Sequence, residues 1–252
     1  MATPFEDILF IIEKSQIDDL PSILASLLKT EKYHLALVKS NICGFYPPSL
    51  PLLKIILETL SKRFEKVYLG DTPSTLYSVQ SRLESLGLTS LIEEIGPNVE
   101  AVDFSKMSDT VKVTVPYPHA LNHYPIPKVV LEADTLVNVA KIGSHQSTRV
   151  TAALKNLFGL VASKMKYFKY HPLGMDRVIA DLAQIIKPDI NIVETRDKIV
   201  VSPDSLIADI ASSLITGFNP LEVKHFYLVA RDENRELEKL VNEVSKCLKK
   251  SA

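Results

Sequence analysis

The stretch Ala140–His171, AKIGSHQSTRVTAALKNLFGLVASKMKYFKYH, holds two histidines and six Lys or Arg side chains. No Asp or Glu occurs between Asp134 and Asp176 to neutralise them. A basic segment of that length beside a strand end points to an anionic ligand. Lys141 closes an apolar strand, the position where open α/β sheets place their ligand groups. His145 follows in a Ser/Gln/Thr loop that leaves its imidazole reachable for acid/base work near neutral pH. Thr151 is expected to open a helix whose free N–H groups and positive dipole end favour an anion. Lys155 then lies one turn along on the same face, and Asn156 and Gly159 follow. His171 is a second acid/base or a metal ligand. The competing reading is plain: a loop histidine on the surface and solvated lysines beside a helix.

Other candidates lie at strand ends. Lys39 and Asn41 stand at the end of the run Leu35–Lys39, and Asp71 sits in the turn Gly70-Asp71-Thr72-Pro73 after a second strand. Each is either a cleft-edge ligand or ordinary turn chemistry. Cys43 reads as a buried hydrophobe. His119 and His123 have a helical metal-ligand spacing, but the surrounding prolines forbid the helix. In SKMKYFKYH, lysines alternate with Tyr167, Phe168 and Tyr170. That pattern allows stacking on single-stranded nucleic acid; the favoured reading buries the aromatics and leaves the lysines in water.

The elements that must position these residues follow from hydrophobic period. Two helices are expected in the first thirty residues, the first carrying Phe5, Ile8, Leu9 and Ile12 on one face. Strands are expected at Leu35–Lys39, Val67–Leu69, Val99–Asp103, Val111–Val115, Thr135–Ala140, Ile190–Glu194 and Lys198–Val201. Helices are expected from Pro51, through Leu76–Leu86 to a stop at Gly87, over Asp176–Ile186, from an Asp204 N-cap to Gly217, and at the C-terminus. Strand–loop–helix units at this spacing imply an α/β fold. The expected architecture is an open, mostly parallel sheet with helices on both faces and two lobes flanking a cleft. PYPHALNHYPIP is expected to be an irregular loop, and a lobe boundary within 116–127 is expected in an otherwise single domain over 1–252.

Composition excludes several classes. With 252 residues, 46% hydrophobic, and 29 Lys+Arg against 30 Asp+Glu, the chain reads as an ordinary globular protein and not a disordered one. A net charge of −1 argues against nucleic acid as a partner. No apolar run approaches a membrane span and no signal peptide is visible, so no membrane partner is expected. Two cysteines cannot build an iron–sulfur cluster and suit a reducing cytoplasm. GxGxxG, GxxxxGK[ST], HExxH, CxxC and GxSxG are all absent.

Taken in order, VKSNIC (38–43), GDTP (70–73), LEADTLVNVAKIGSH (131–145) and VTAALKNLFG (150–159) resemble domain-of-unknown-function family 362. VVSPDSLIAD resembles that family's late motif around paired aspartates, here Asp204 and Asp209. Ser40 and Ala152 replace a proline and a glycine of its pattern, three residues separate Lys141 from His145, and a glycine-proline stretch is shortened to TRDK. Many members carry a ferredoxin-like module that this chain lacks, so an electron-transfer role implies a separate redox partner protein. The intervals between His145, Lys155 and His171 are also similar to those of the lactate racemase family. That likeness implies hydrogen transfer at His145, attachment of a nickel-pincer nucleotide to Lys155 and nickel ligation by His171, although the glycines preceding the lysine there are absent here. The leading function is an enzyme-like cleft binding an anionic small molecule or cofactor, for isomerase, racemase or redox-linked acid/base chemistry. The alternative is a non-catalytic carrier, scaffold or maturation partner.

Overall fold

A computed structural model describes residues 5, 7–28, 33–107, 109–163 and 165–250. Lys164, part of the basic segment above, lies outside the described residues. The strands are β1 (Phe10–Glu13), β2 (Tyr33–Ser40), β3 (Phe64–Asp71), β4 (Val99–Asp103), β5 (Thr110–Thr114), β6 (His123–Pro127), β7 (Thr135–Lys141), β8 (Gly143–His145), β9 (Arg149–Thr151), β10 (Ile190–Glu194) and β11 (Lys198–Ser202). Seven of them form one mixed sheet in the order β1-β11-β10-β7-β2-β3-β4. The run β10-β7-β2-β3-β4 is parallel throughout, and β11 is antiparallel to both β10 and β1. The fold is α/β, as the strand–helix alternation implies.

Helices cover both faces because the central strands are apolar on both. On one side, Leu20–Leu27, Leu50–Ser61, Val79–Ser85 and Leu88–Ile95 pack over Ala36, Val38, Val67, Leu69, Val137 and Val139. On the other, Met175–Ile185, Ser205–Thr216, Lys224–Asp232 and Leu237–Lys250 enclose Leu37, Leu136, Val193 and Val200. Asp204 caps its helix as expected, accepting from the Ile207 N–H at 3.0 Å, and Gly217 ends it in the left-handed region. No helix among the described residues is long and apolar enough to cross a membrane.

The structure corrects four local expectations. Phe10–Glu13 is an edge strand, because Ile12 is buried by pairing with β11 and not by a helical face. PYPHALNHYPIP is only partly irregular: His123–Pro127 pairs with β5 and places both prolines where an edge tolerates them. Residues 116–122 are held by Asp181, which accepts from the N–H groups of His119, Ala120 and Leu121 and from the Tyr124 hydroxyl at 2.6–3.0 Å. The polar stretch after Lys141 is a hairpin, β8 against β9, so Thr151 belongs to a strand and the helix begins at Ala153 with one turn, Ala153–Asn156.

Candidate functional site

Polar residues interrupt the apolar strands β2, β7, β10 and β11, and the register lines them up beside Gly70 of β3. Gly70, Lys39, Asn138, Asn191 and Ser202 are successive neighbours across β3, β2, β7, β10 and β11. The turn Ala153–Asn156 lies on this row. Asn156 Nδ2 donates to Asn138 Oδ1 at 2.8 Å and to the Val139 carbonyl at 3.0 Å. Asn138 Nδ2 donates to the Ala153 carbonyl at 3.0 Å and to Asn191 Oδ1 at 2.8 Å, and Ser205 donates to the same Asn191 oxygen at 2.9 Å. Buried amides demand such complete pairing, so the row fixes the turn above it.

Lys39 closes the row. Its Nζ donates to Asn156 Oδ1 at 2.6 Å and the Ser40 carbonyl at 3.0 Å, and lies 3.1 Å from Asp71 Oδ1. Asp71 also accepts from the Cys43 and Thr72 N–H groups at 3.0 and 2.8 Å. Burial pulls the Lys39 pKa down, and Asp71 opposes that shift. Gly159 sits directly on this pair. A Cβ there would come within 2.3 Å of Lys39 Cε and 2.5 Å of Asp71 Oδ1. Because Lys39 is held by three acceptors, it cannot swing aside. Gly159→Ala is therefore expected to destabilise the fold by about 1–3 kcal/mol, seen as a Tm lowered by about 2–12 °C. An unchanged Tm would show the pair to be mobile.

The amides expected to face an anion are already taken. Asp209, fully buried, accepts from the Ala153 and Leu154 N–H groups at 2.6 and 3.0 Å. Burial pushes its pKa up to about 7 against those two hydrogen bonds. The anion site predicted at the N-terminus of this turn is thus filled by the chain's own carboxylate, and the second of the late paired aspartates acquires a role: it fixes the backbone from which Lys155 projects.

Beyond Asn156 the site changes character. His145, Lys155 and His171, spread over 27 residues of sequence, come within electrostatic reach of one another. Burial and the charges of Lys155 and His171 push the His145 imidazole down to about 4. Burial and Lys155 lower His171 as well. Both rings are neutral at neutral pH. The Ser147 and Thr148 N–H groups both point at His145 Nδ1 at 3.3 Å, and backbone N–H can only donate. The ring proton therefore belongs on Nε2, which makes His145 a hydrogen-bond donor. His171 packs against Tyr167, ring centroids 4.1 Å apart, and edge-on to Phe158. Behind them the fully buried His225 Nδ1 lies 2.7 Å from Asp176 Oδ1.

Lys155 is half-buried and has neither an ion pair nor a hydrogen bond among the described residues. Burial, with Lys39 adding to it, pushes its pKa down to about 8. A second lysine joins it that sequence reasoning did not single out. Lys166 donates to Thr72 Oγ1, lies 5.5 Å over the Phe158 ring, and is likewise pushed down to about 8 by burial, with Asp71 opposing. This reverses the reading of SKMKYFKYH. Lys166 turns inward, Tyr167 and Phe168 are exposed, and of the three aromatics only Tyr170 is buried, stacked on Tyr124.

Of the remaining candidates, some lie at the margin of this row and others away from it. Asn41 spends its amide on the Tyr46 carbonyl at 3.1 Å, and the Tyr46 ring covers Gly143 closely enough that a Cβ there would meet it at 2.6 Å. Lys141 ends β7 in register with Glu194 and has no ion pair among the described residues. Thr151 is buried in β9. His119 pairs with Asp232 at 2.7 Å, away from the site. Cys43 is buried, and burial pushes its thiol up to about 12, as a hydrophobe's would be.

A thylakoid-associated protein of Synechocystis sp. is 28% identical over 135 residues, covering 51% of this chain and 39% of that protein. In backbone comparison, the lactate racemase apoprotein of Thermoanaerobacterium thermosaccharolyticum has a TM-score of 0.48 at 14% identity, over 85% of this chain and 58% of that one. A Thermotoga maritima protein also has a TM-score of 0.48, at 13% identity, over 81% of this chain and 58% of that one. The chain thus spans less than two thirds of the length of each of these relatives. The family model described as a domain of unknown function (DUF362) matches residues 37–211. That span covers every motif named above and more than half of the sequence: the chain belongs to the DUF362 family.

Proposed function

We propose that the chain is an enzyme that binds an anionic small molecule or cofactor at the C-terminal ends of β2, β3 and β7. Lys155 and Lys166 are its cations, and Lys141 and Thr151 border it. Lys39, Asn41, Asp71, Asn156 and Gly159 form the rigid floor. One observation carries the reading: Lys155 is a half-buried ammonium in the field of Lys39, with no ion pair or hydrogen bond among the described residues. Such a group costs stability unless a ligand completes it. The two imidazoles beside it are neutral, so one can accept a proton while the other donates a hydrogen bond. His171 is the acceptor and His145 the Nε2–H donor to a substrate oxygen, an arrangement suited to isomerase, racemase or redox-linked acid/base chemistry. We assign the reaction to a reducing compartment, the cytoplasm, in keeping with a sequence of only two cysteines.

The residues also fit a covalently held cofactor. Among the described residues no group of three or more His, Cys, Asp or Glu could hold a metal by itself. A metal would therefore arrive on an organic group. An amine without a partner among the described residues, its pKa lowered to about 8, suits Lys155 to attachment, and His171 is the neighbouring imidazole able to ligate. A nickel-pincer nucleotide held there would supply reversible uptake of hydrogen from the substrate.

The test combines thermal shift with intact mass and metal analysis of the natively purified chain. Inorganic phosphate, pyrophosphate and small hydroxycarboxylates are titrated at several pH values. Linkage fixes the sign: a lysine whose charge holds the anion must be protonated, so affinity is highest below its pKa. For a hydroxycarboxylate, whose charge is constant above pH 6, binding is expected to be constant between pH 6 and 7.5 and to weaken above about 8 as Lys155 and Lys166 deprotonate, by about tenfold per unit for each lysine whose charge it needs. A mass increment on the Lys155 peptide also supports the reading. No shift with any anion, together with an unmodified, metal-free mass, overturns it.

A further inference from the structure

Five of the most exposed large apolar side chains crowd one end of the sheet. Phe45 (75% exposed) is on the loop after β2 and Leu76 (66%) on the loop after β3. Met165 (70%), Tyr167 (51%) and Phe168 (62%) belong to the segment that follows the Ala153–Asn156 turn. The three loops meet, since Lys166 donates to Thr72 and the Cys43 N–H donates to Asp71. Residues 41–49, 72–78 and 159–174 contain no Asp or Glu. Lys169, exposed beside Phe168, has no carboxylate partner among the described residues. The rings are held out firmly. Tyr170 anchors the short helix Lys166–Tyr170 from below, stacked on Tyr124 and edge-on to Phe158 at 5.8 Å each.

Single exposed hydrophobics need no explanation, but a cluster on three neighbouring acid-free segments does. We propose that this rim docks the protein onto an anionic bilayer surface. Phe45, Leu76, Met165 and Phe168 enter the headgroup boundary, and Lys169 pairs with lipid phosphates. Apolar tips with the exposed Lys169 among them, on segments that carry no acid, match the negative potential of such a surface. A protein partner would more often meet a rim of mixed charge. A single-stranded nucleic acid would need a continuous basic groove to follow, and these tips stand on three separate loops. The proposal concerns a surface contact and is compatible with the lack of a membrane-crossing helix. It does not depend on what the lysines behind the rim bind.

Co-sedimentation of the full chain with vesicles tests it. Binding is expected to phosphatidylcholine vesicles containing about one third phosphatidylglycerol, and to fall with added salt, while pure phosphatidylcholine binds little. Phe45→Ser with Phe168→Ser should weaken binding by at least about tenfold, and Lys169→Glu by about tenfold. All three side chains are exposed, so folding is not at risk. Tyr117→Ser, equally exposed (70%) on the β5–β6 connection, should leave binding unchanged. Four results overturn the proposal: no binding to anionic vesicles, equal binding to neutral ones, equal loss in Tyr117→Ser, or displacement from vesicles by a single-stranded oligonucleotide. So does self-association in solution that Phe168→Ser abolishes.

Discussion

Replacing Lys39 with methionine is expected to lower the stability of the fold by about 3–5 kcal/mol, a fall in Tm of about 6–20 °C for a chain of this size. The size of the effect comes from what the substitution leaves behind. Lys39 and Asp71 are 1% and 3% exposed, and the lysine is the only cation touching that carboxylate among the described residues. Removing it strands a buried negative charge and also orphans Asn156 Oδ1, which holds the turn carrying Lys155. The N–H groups of Cys43 and Thr72 still reach Asp71, so the loss belongs near the lower part of that range. The double variant Lys39→Met, Asp71→Asn removes the stranded charge and should be more stable than Lys39→Met alone. Chemical denaturation of the wild type, both single variants and the double variant checks this as a cycle. A single Lys39→Met variant within about 1 kcal/mol of wild type would mean that the pair contributes little.

The same row of residues shows how far the sequence could be read. Apolar strands with helices between them made the parallel sheet legible, since each strand announces itself locally. Its edge did not. Phe10–Glu13 owes its conformation to Lys198–Val201, nearly 190 residues away, and a short apolar run carries too little period to separate strand from helix. Gly87 was read as a stop, and it is one: its left-handed conformation ends the first helix. It also starts the next at Leu88, which the stop reading hid. The segment 140–171 was recognisable because charge composition is written in the sequence. Its internal logic was not. Lys39, Asn138, Asn191 and Ser202 are each a polar residue set in an apolar strand, a pattern visible in VKS, VNV, INI and VVS. Only the register turns those four into one row. Nor could charge alone tell which lysines face water. Lys166 faces inward because Thr72 and Phe158 receive it, and both contacts depend on tertiary placement.

Lys155→Met should behave in the opposite way to Lys39→Met, although both remove a lysine from the same site. Lys155 has no partner to strand among the described residues, and its charge is disfavoured by burial and by Lys39. Its removal is expected to leave Tm unchanged or to raise it by a few degrees, the usual sign of a residue kept for binding at the expense of stability. Anion binding should weaken by about 30- to 1,000-fold, the cost of deleting one partner of a desolvated charged contact. The pH dependence supplies an independent readout. In Lys155→Met the imidazoles of His145 and His171 lose a repelling neighbour, so both should titrate at higher pH than in the wild type, visible in their NMR ring signals. Lys155→Arg separates the two roles proposed for the amine. A guanidinium preserves the charge, so anion binding should stay within about tenfold of wild type, but it lacks the primary amine to which a cofactor would attach. Retained binding with loss of any mass increment assigns Lys155 to both tasks. Loss of stability in Lys155→Met comparable to that in Lys39→Met would instead make Lys155 part of the floor and leave the site without its cation.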